Sequence, residues 1–575
     1  MAIVVIANQT GKPEVDGLLE GVKWNGVITY SFPDSPNFYL YPANRSEPTT
    51  NFAPAPSEFR LAIDYAVNLV MQYTNAKFQN FGTGHADIMA AQSSLAGKTA
   101  YTYVPNNTEV GGDIWLGTGR DFSKAAVGSY AFATALHEFG HALGLKHPHE
   151  ASTRIEVLLP ASLDQLAYSV MSYRAYEGAT VDGYRNEAYG FPATYMANDI
   201  LALQTLYGAN YSTHNEDTVY SWNPRTGESL INGVVQFTPG ANRIFQTIWD
   251  GGGIDTYDLS NYTTDLNINL NPGAGSLFSI SQLVDLDGRG QHTASANVYN
   301  SYLYNADVRS LIENAYGGTG NDILIGNDAA NELRGGAGND ILRGGLGGDR
   351  LFGGDGNDII EIGGNDLLGD VIDGGAGIDT LALIATVTNL GVLSLVGVEI
   401  LDGRGYGVEG SEGNEVVSLA GFEKVINLAY FNGNGGDDQI TGSAGDDVLR
   451  GGAGNDVLNG GAGNDRLSGD EGDDVLNGGA GNDRLSGGAG NDRFVFTPDD
   501  LGAFTDYIVD FTHNQDLIDF SVFSFDINAD TFAAAKDTYA AQSGADAVIA
   551  LDANYKLVLL GVQVASLDYT DFVFA

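Results

Sequence analysis

Cysteine is absent from the 575 residues. Disulfide scaffolds, thiol catalysis and thiolate metal sites are therefore excluded. Basic residues are scarce, with 27 Lys and Arg against 73 Asp and Glu, for a formal charge of −46. A chain this acidic is a poor partner for the phosphates of nucleic acid or for an anionic membrane surface. No apolar run reaches the ~18 residues of a membrane-spanning helix, so no stable membrane insertion is expected. The first residues, MAIVVIANQTGK, carry no basic stretch before their apolar run and do not read as a secretory leader. Proline is not raised, with 15 residues, whereas the 78 glycines are about twice the usual ~7%. The abundant features are thus glycine and carboxylate, which leaves solubility or cation binding as the reading of the charge.

The length allows about three or four domains. VKWNGVITYSF (22–32) alternates as a strand does. Phe59, Ile63, Val67 and Val70 fall at helical spacing, so a helix begins at Ser57. Strands follow over 101–116, including DIWLG (113–117), a candidate edge for pairing with an extended peptide. Further helices are predicted over 124–143, ending at Gly144, and over 193–207. Residues 1–245 then form one α+β domain. Residues 246–316 read as a polar, strand-poor connector.

From 317 the chain repeats with a period of nine, GGxGxDxUx, where U is a large apolar residue. A first block runs over 317–382, with acidic positions at Asp322, Asp340, Asp349 and Asp358. A second block runs over 433–495, with Asp438, Asp447, Asp456, Asp465, Asp474, Asp483 and Asp492 nine apart without a slip. Between them lies a β-rich, apolar-rich insert, 383–432. Residues 496–575 lose the repeat and alternate as β-strands. Aspartate and turn carbonyls are hard oxygen donors suited to Ca2+, and a column of such carboxylates repels itself without a cation.

The strongest chemical signal is HEFGHALGLKH (137–147). His137 and His141, four apart, share one helix face, and Gly144 permits the turn that returns His147 as a third ligand. Three protein ligands and an open position describe a catalytic Zn2+ site, with Glu138 placed beside it as general base. No GxSxG elbow competes, since Ser129 sits in AVGSYAF.

The extended motif resembles the metzincin metalloproteases, and Pro148 directly after His147 resembles their serralysin branch. That resemblance implies Met171, in YSVMSYR (168–174), as the floor beneath the metal. It implies Tyr173 as a zinc ligand that swings away to stabilise the oxyanion, and a zinc-bound water as nucleophile. GVITYSFPDS (26–35), NDILALQTLYGAN (198–210), TIWDGGGIDTYDLS (247–260) and IENAYGGTGNDILIGN (312–327) are similar to serralysin segments. The nonapeptide resembles the calcium-binding RTX repeat, which winds into a parallel β-roll. Two repeat blocks rather than one depart from the serralysin pattern. The implied fold is an α+β metzincin catalytic domain followed by an all-β parallel β-roll and β-sandwich region. The implied protein is a secreted, monomeric zinc endopeptidase acting on protein and peptide substrates and stabilised by several Ca2+. RTX proteins leave Gram-negative bacteria through type I secretion machinery, and the ending LLGVQVASLDYTDFVFA (559–575), with Asp571 before Phe572, Val573 and Phe574, is similar to the serralysin terminus. The competing reading is a calcium-binding RTX surface or adhesion protein in which the protease fold is only a scaffold. The retained Glu138 argues against it.

Overall fold

The computed structural model describes every residue except 1, 365–368, 389, 391–393, 499–501, 524, 526, 552–553 and 575. Parts of the predicted insert 383–432 and of the segment 496–575, including the last residue of its terminal motif, therefore lie outside the described residues. The chain forms two compact units, Met1–Ala329 and Ala330–Ala575.

In the first unit, strands β1 (Val27–Ser31), β2 (Lys77–Asn80), β3 (Ile88–Gln92), β4 (Ala100–Thr102) and β5 (Ile114–Leu116) lie in the order β2-β1-β3-β5-β4. All neighbours are parallel except β4, which runs antiparallel to β5. Helix α1 (Ser57–Tyr73) begins where predicted and buries Phe59, Ile63, Val67 and Val70. Helix α2 (Tyr130–Leu143) starts later than the predicted 124, because Ser129 caps it: its hydroxyl accepts from the Phe132 N–H at 3.2 Å. Helix α3 (Ala197–Tyr207) likewise starts late. Asp199 in its first turn accepts from the Met196 N–H at 3.0 Å and fixes the start there. These helices and the sheet share one core that includes Phe59, Phe132, Leu136, Phe139, Met171 and Leu203.

The end of α2 is closed by side chains from elsewhere in this unit. A helix leaves its last carbonyls without internal partners. Here the Trp24 indole donates to Ala142 O at 2.8 Å and the Tyr207 hydroxyl to Leu143 O at 2.7 Å. Gly144 closes the helix in the left-handed conformation, φ +104°. A Cβ there would sit 2.2 Å from Val22 O. Gly144→Ala is therefore expected to cost about 2–4 kcal/mol, from backbone strain and the clash together. Chemical denaturation read on the first unit checks this, with an unchanged midpoint as the contrary result.

The stretch 246–316 differs from its expectation. It carries the strands Gln246–Ile248, Thr256–Asp258, Asn267–Asn269, Val298–Asn300 and Asn314–Tyr316. Thr256–Asp258 pairs in parallel with Val219–Trp222 and with Asn314–Tyr316, so winding begins well before the repeats. Three-residue strands are too short to show alternation in sequence, which is why the stretch reads as strand-poor.

In the second unit each repeat is half a coil. Leu449 lies beside Leu467 and Leu458 beside Leu476 in parallel ladders, a shift of eighteen residues, or two nonapeptides. Leu449, Leu458, Leu467, Leu476 and Leu485 are all fully buried along the axis. Through the insert the coil widens. Strand Thr380–Thr388 pairs with Ile400–Asp402 at its start and with Val408–Glu409 at its end. Val408–Glu409 then hands the ladder to Phe431–Gly435, where the second repeat block resumes. After the repeats, Thr505–Ile508 and Leu517–Asp519 extend the ladders, and the last strand of the described residues, Phe572–Val573, pairs beside Leu517–Asp519.

Candidate active site

His137, Glu138 and His141 come from α2, and the turn at Gly144 brings His147 back against them. The three Nε2 atoms lie 3.0–3.1 Å from one another. Each ring spends its Nδ1 elsewhere. His137 Nδ1 meets Val170 O at 2.9 Å, His141 Nδ1 meets Leu145 O at 2.8 Å, and His147 Nδ1 meets a Glu150 carboxylate oxygen at 2.9 Å. All three partners are acceptors, so each Nδ1 carries the proton and each Nε2 presents a lone pair. Burial, and for His137 and His147 the neighbouring imidazoles, hold the rings below the usual histidine range, so they are neutral. Three lone pairs facing one another repel unless a cation lies between them. The spacing lets all three Nε2 atoms reach one ion at bonds of ~2.0–2.1 Å, a little tighter than the face of a regular tetrahedron. The donor set and geometry fit zinc.

Met171 is fully buried beneath this cluster. It packs against α2 only because position 140 is glycine: a Cβ on Gly140 would lie 2.7 Å from its sulfur. The turn is held from below by Asp199, whose carboxylate accepts from the Ser169 hydroxyl at 2.6 Å and the Val170 N–H at 2.7 Å. Burial lifts the Asp199 carboxyl to about 7. The chain of contacts from α3 through Val170 to His137 was not visible in sequence. The acidic residue opening the helix was its only trace.

Glu138 is buried, and burial raises its carboxyl to about 7. Among the described residues its one hydrogen-bond partner is the Thr102 hydroxyl, at 2.7 Å. The Tyr173 ring lies 5.5 Å from the His137 ring and 4.3 Å from that of His147. Its hydroxyl has no hydrogen-bond partner among the described residues, and burial, with the charge of Glu138, keeps it protonated. Ala100, Thr134, His137, Glu138, Tyr173 and Phe191 line one cleft of ≈ 570 Å³. The edge strand of this cleft is β4, not the predicted segment 113–117. The β5 strand there is paired on both sides and fully buried, so it has no free groups to offer a peptide.

The repeat aspartates form ladders in which an Oδ1 accepts the main-chain N–H of the residue one coil earlier, an aspartate along most of the second block and Leu266, Asn331 or Glu415 for Asp322, Asp349 and Asp438. Asp438 N–H reaches Asp456 at 2.7 Å and Asp456 N–H reaches Asp474 at 2.8 Å. Oδ2 of Asp358, Asp379, Asp438, Asp456, Asp465, Asp474 and Asp492 is buried without a hydrogen-bond partner among the described residues. Asp322 and Asp447 differ, since their Oδ2 atoms already accept N–H groups of Gly318 and Ser443. Asp340, Asp349 and Asp483 are buried in the same ladders. The repeat match GGAGIDTLA (374–382) is legible in sequence, but its Asp379 was not among the candidate calcium ligands. Sequence reading also missed the buried Asp250 and Asp255, where Asp255 Oδ2 has no hydrogen-bond partner among the described residues and burial raises both carboxyls, helped at Asp250 by the charge of Asp255.

Two family models match this chain: Matrixin over residues 47–162, and Peptidase M10 serralysin C terminal over 209–575. Serralysin from Photorhabdus laumondii subsp. laumondii is 37% identical over 284 residues, covering 47% of this chain and 51% of that protein. Metallopeptidase AprA from Pseudomonas marginalis is 32% identical over 262 residues, covering 44% and 50%. Serralysin from Proteus mirabilis is 31% identical over 354 residues, covering 55% and 64%. The chain spans about half the length of the first of these relatives. With the C-terminal model extending over well more than half of its residues, the chain belongs to the serralysin family of M10 peptidases.

Proposed function

We propose that this chain is a zinc-dependent endopeptidase of the metzincin class that hydrolyses peptide bonds in proteins. The observation that carries the reading is the convergence of three Nε2 lone pairs beside a buried carboxylate in an open cleft. His137, His141 and His147 would hold the zinc, with Tyr173 as the fourth, displaceable ligand. Zinc bound there supplies a Lewis acid that polarises the scissile carbonyl and acidifies a water. Glu138 takes the proton of the attacking water as general base and delivers it to the leaving amine. The Tyr173 hydroxyl, protonated and otherwise unengaged, donates to the developing oxyanion. Free main-chain groups of β4 pair with the substrate as an added strand.

The buried, unpartnered carboxylate oxygens of the second unit support structural Ca2+ in the turns, shared between neighbouring coils. Asp250 and Asp255 form a further candidate site of the same chemistry. Calcium-dependent folding and the absence of cysteine suit export as an unfolded chain. We infer a secreted, extracellular monomer leaving by a type I machinery that reads the C-terminal segment. No helix among the described residues is long and apolar enough to cross a membrane.

The test is casein digestion by the chain refolded with calcium and equimolar zinc. Cleavage that a zinc chelator abolishes and added zinc restores is expected. Tyr173→Phe is expected to lower kcat about 10²-fold with KM little changed, as for loss of one oxyanion donor. A folded, zinc-loaded wild type that cuts nothing would instead favour the calcium-binding surface protein.

A further inference from the structure

We propose that Thr102 is a positioning residue for Glu138, which lets the strand that receives the substrate also set the orientation of the general base. The inference rests on the endopeptidase reading.

Its ground is the register of β4. Tyr103 N–H donates to Asp113 O at 3.1 Å, Gly112 N–H to Tyr103 O at 2.8 Å, and Gly117 N–H to Thr99 O at 2.6 Å. Odd-numbered residues thus turn their main chain toward β5. Ala100 and Thr102 turn theirs to the free edge, because the pattern along a strand alternates. Side chains alternate as well. Tyr101 and Tyr103 point to one face, where both hydroxyls donate to the buried Glu47 carboxylate. Thr102 points to the other face and reaches Glu138. The strand is therefore pinned by Glu47 on one side, and its only polar side chain on the other side meets the base.

A glutamate has three rotatable side-chain bonds, and Glu138 has this one hydrogen bond among the described residues. Without it the buried carboxylate loses both a donor and the contact that selects its rotamer. Because Thr102 main-chain groups face the edge, a peptide pairing there presses on the residue that holds the base.

The test compares zinc-loaded wild type with Thr102→Val, which keeps the shape, and Thr102→Ser, which keeps the hydroxyl. Thr102→Val is expected to lower kcat about tenfold with KM within about twofold, the scale of one lost hydrogen bond to a charged group. Thr102→Ser is expected to restore most of the rate. A role in strand stability alone would move KM or melting instead, and serine would not rescue it. Crystal structures of the zinc-loaded wild type and Thr102→Val read the carboxylate directly, and it is expected to leave its wild-type rotamer in the valine variant. Wild-type kcat in Thr102→Val, failure of serine to rescue, or an unmoved carboxylate each overturns the proposal. A moved carboxylate in a protein whose wild type cleaves nothing would uphold the positioning role and sink the endopeptidase reading.

Discussion

Glu138→Gln is expected to leave a folded, zinc-binding protein whose peptide hydrolysis is slowed by about 10²–10⁴-fold, the usual scale for loss of a general base. The amide has the volume of the carboxylate, so the packing around this buried position is kept. Its oxygen can still accept from Thr102. The three imidazoles that would hold the metal keep their own anchors at Val170, Leu145 and Glu150. What is lost is the capacity to take a proton. Burial, partly offset by the Thr102 hydrogen bond, lifts the Glu138 carboxyl to about 7. A dication held beside it favours the charged form and draws that value down. The acidic limb of the kcat/KM profile is therefore expected below pH 7 with zinc bound. Zinc stoichiometry and casein turnover, measured together, check the variant. Wild-type turnover in Glu138→Gln would remove this residue from the reaction.

Removal of calcium at pH 7, with zinc kept at equimolar level, is expected to unfold the second unit and expose 330–575 to added protease. The cause is electrostatic. Buried carboxylate oxygens without partners each cost about 1–3 kcal/mol, and more when charged. Seven of them stand in these ladders. Burial raises the carboxyls of Asp358, Asp438 and Asp492 to about 6 and those of Asp465 and Asp474 to about 7. The unfolded chain has ordinary values near ~3.9. The folded, calcium-free roll therefore binds more protons than the unfolded chain between these limits. Its stability is fully present below about pH 4 and is lost as pH rises through 6 to 7. Mild acid should thus substitute in part for calcium. Circular dichroism of the calcium-free chain should show more β-structure at pH 5 than at pH 7, and millimolar calcium should restore it at pH 7. A roll that is equally stable at both values without calcium would refute the cation-binding account.

Much of this protein is legible in sequence because its decisive signals are local. The i, i+4 placement of His137 and His141 on a helix, and the turn at Gly144 that returns His147, need only short-range geometry. A nine-residue period states a solenoid because each coil contacts only its neighbours. The inward leucines and the aspartate ladders follow from that period alone. The widened coil at 380–409 was less legible, since there the pairing departs from the repeat.

Tertiary structure decided what depends on residues far apart. DIWLG alternates and is apolar as an edge or a central strand would be. Only the pairing of β5 on both sides makes it internal and leaves β4 as the edge. Thr102 reaches Glu138 across 36 residues, and Asp199 sets the turn under His137 from the next helix. A single polar residue has no periodicity to betray its partner, so such contacts have no sequence signature. The metal-binding motif and the roll were written in the residues themselves. The orientation of Glu138, the packing of Met171 beneath the histidines and the free edge at β4 were set by packing, which brings distant side chains to hydrogen-bond distance only in the folded chain.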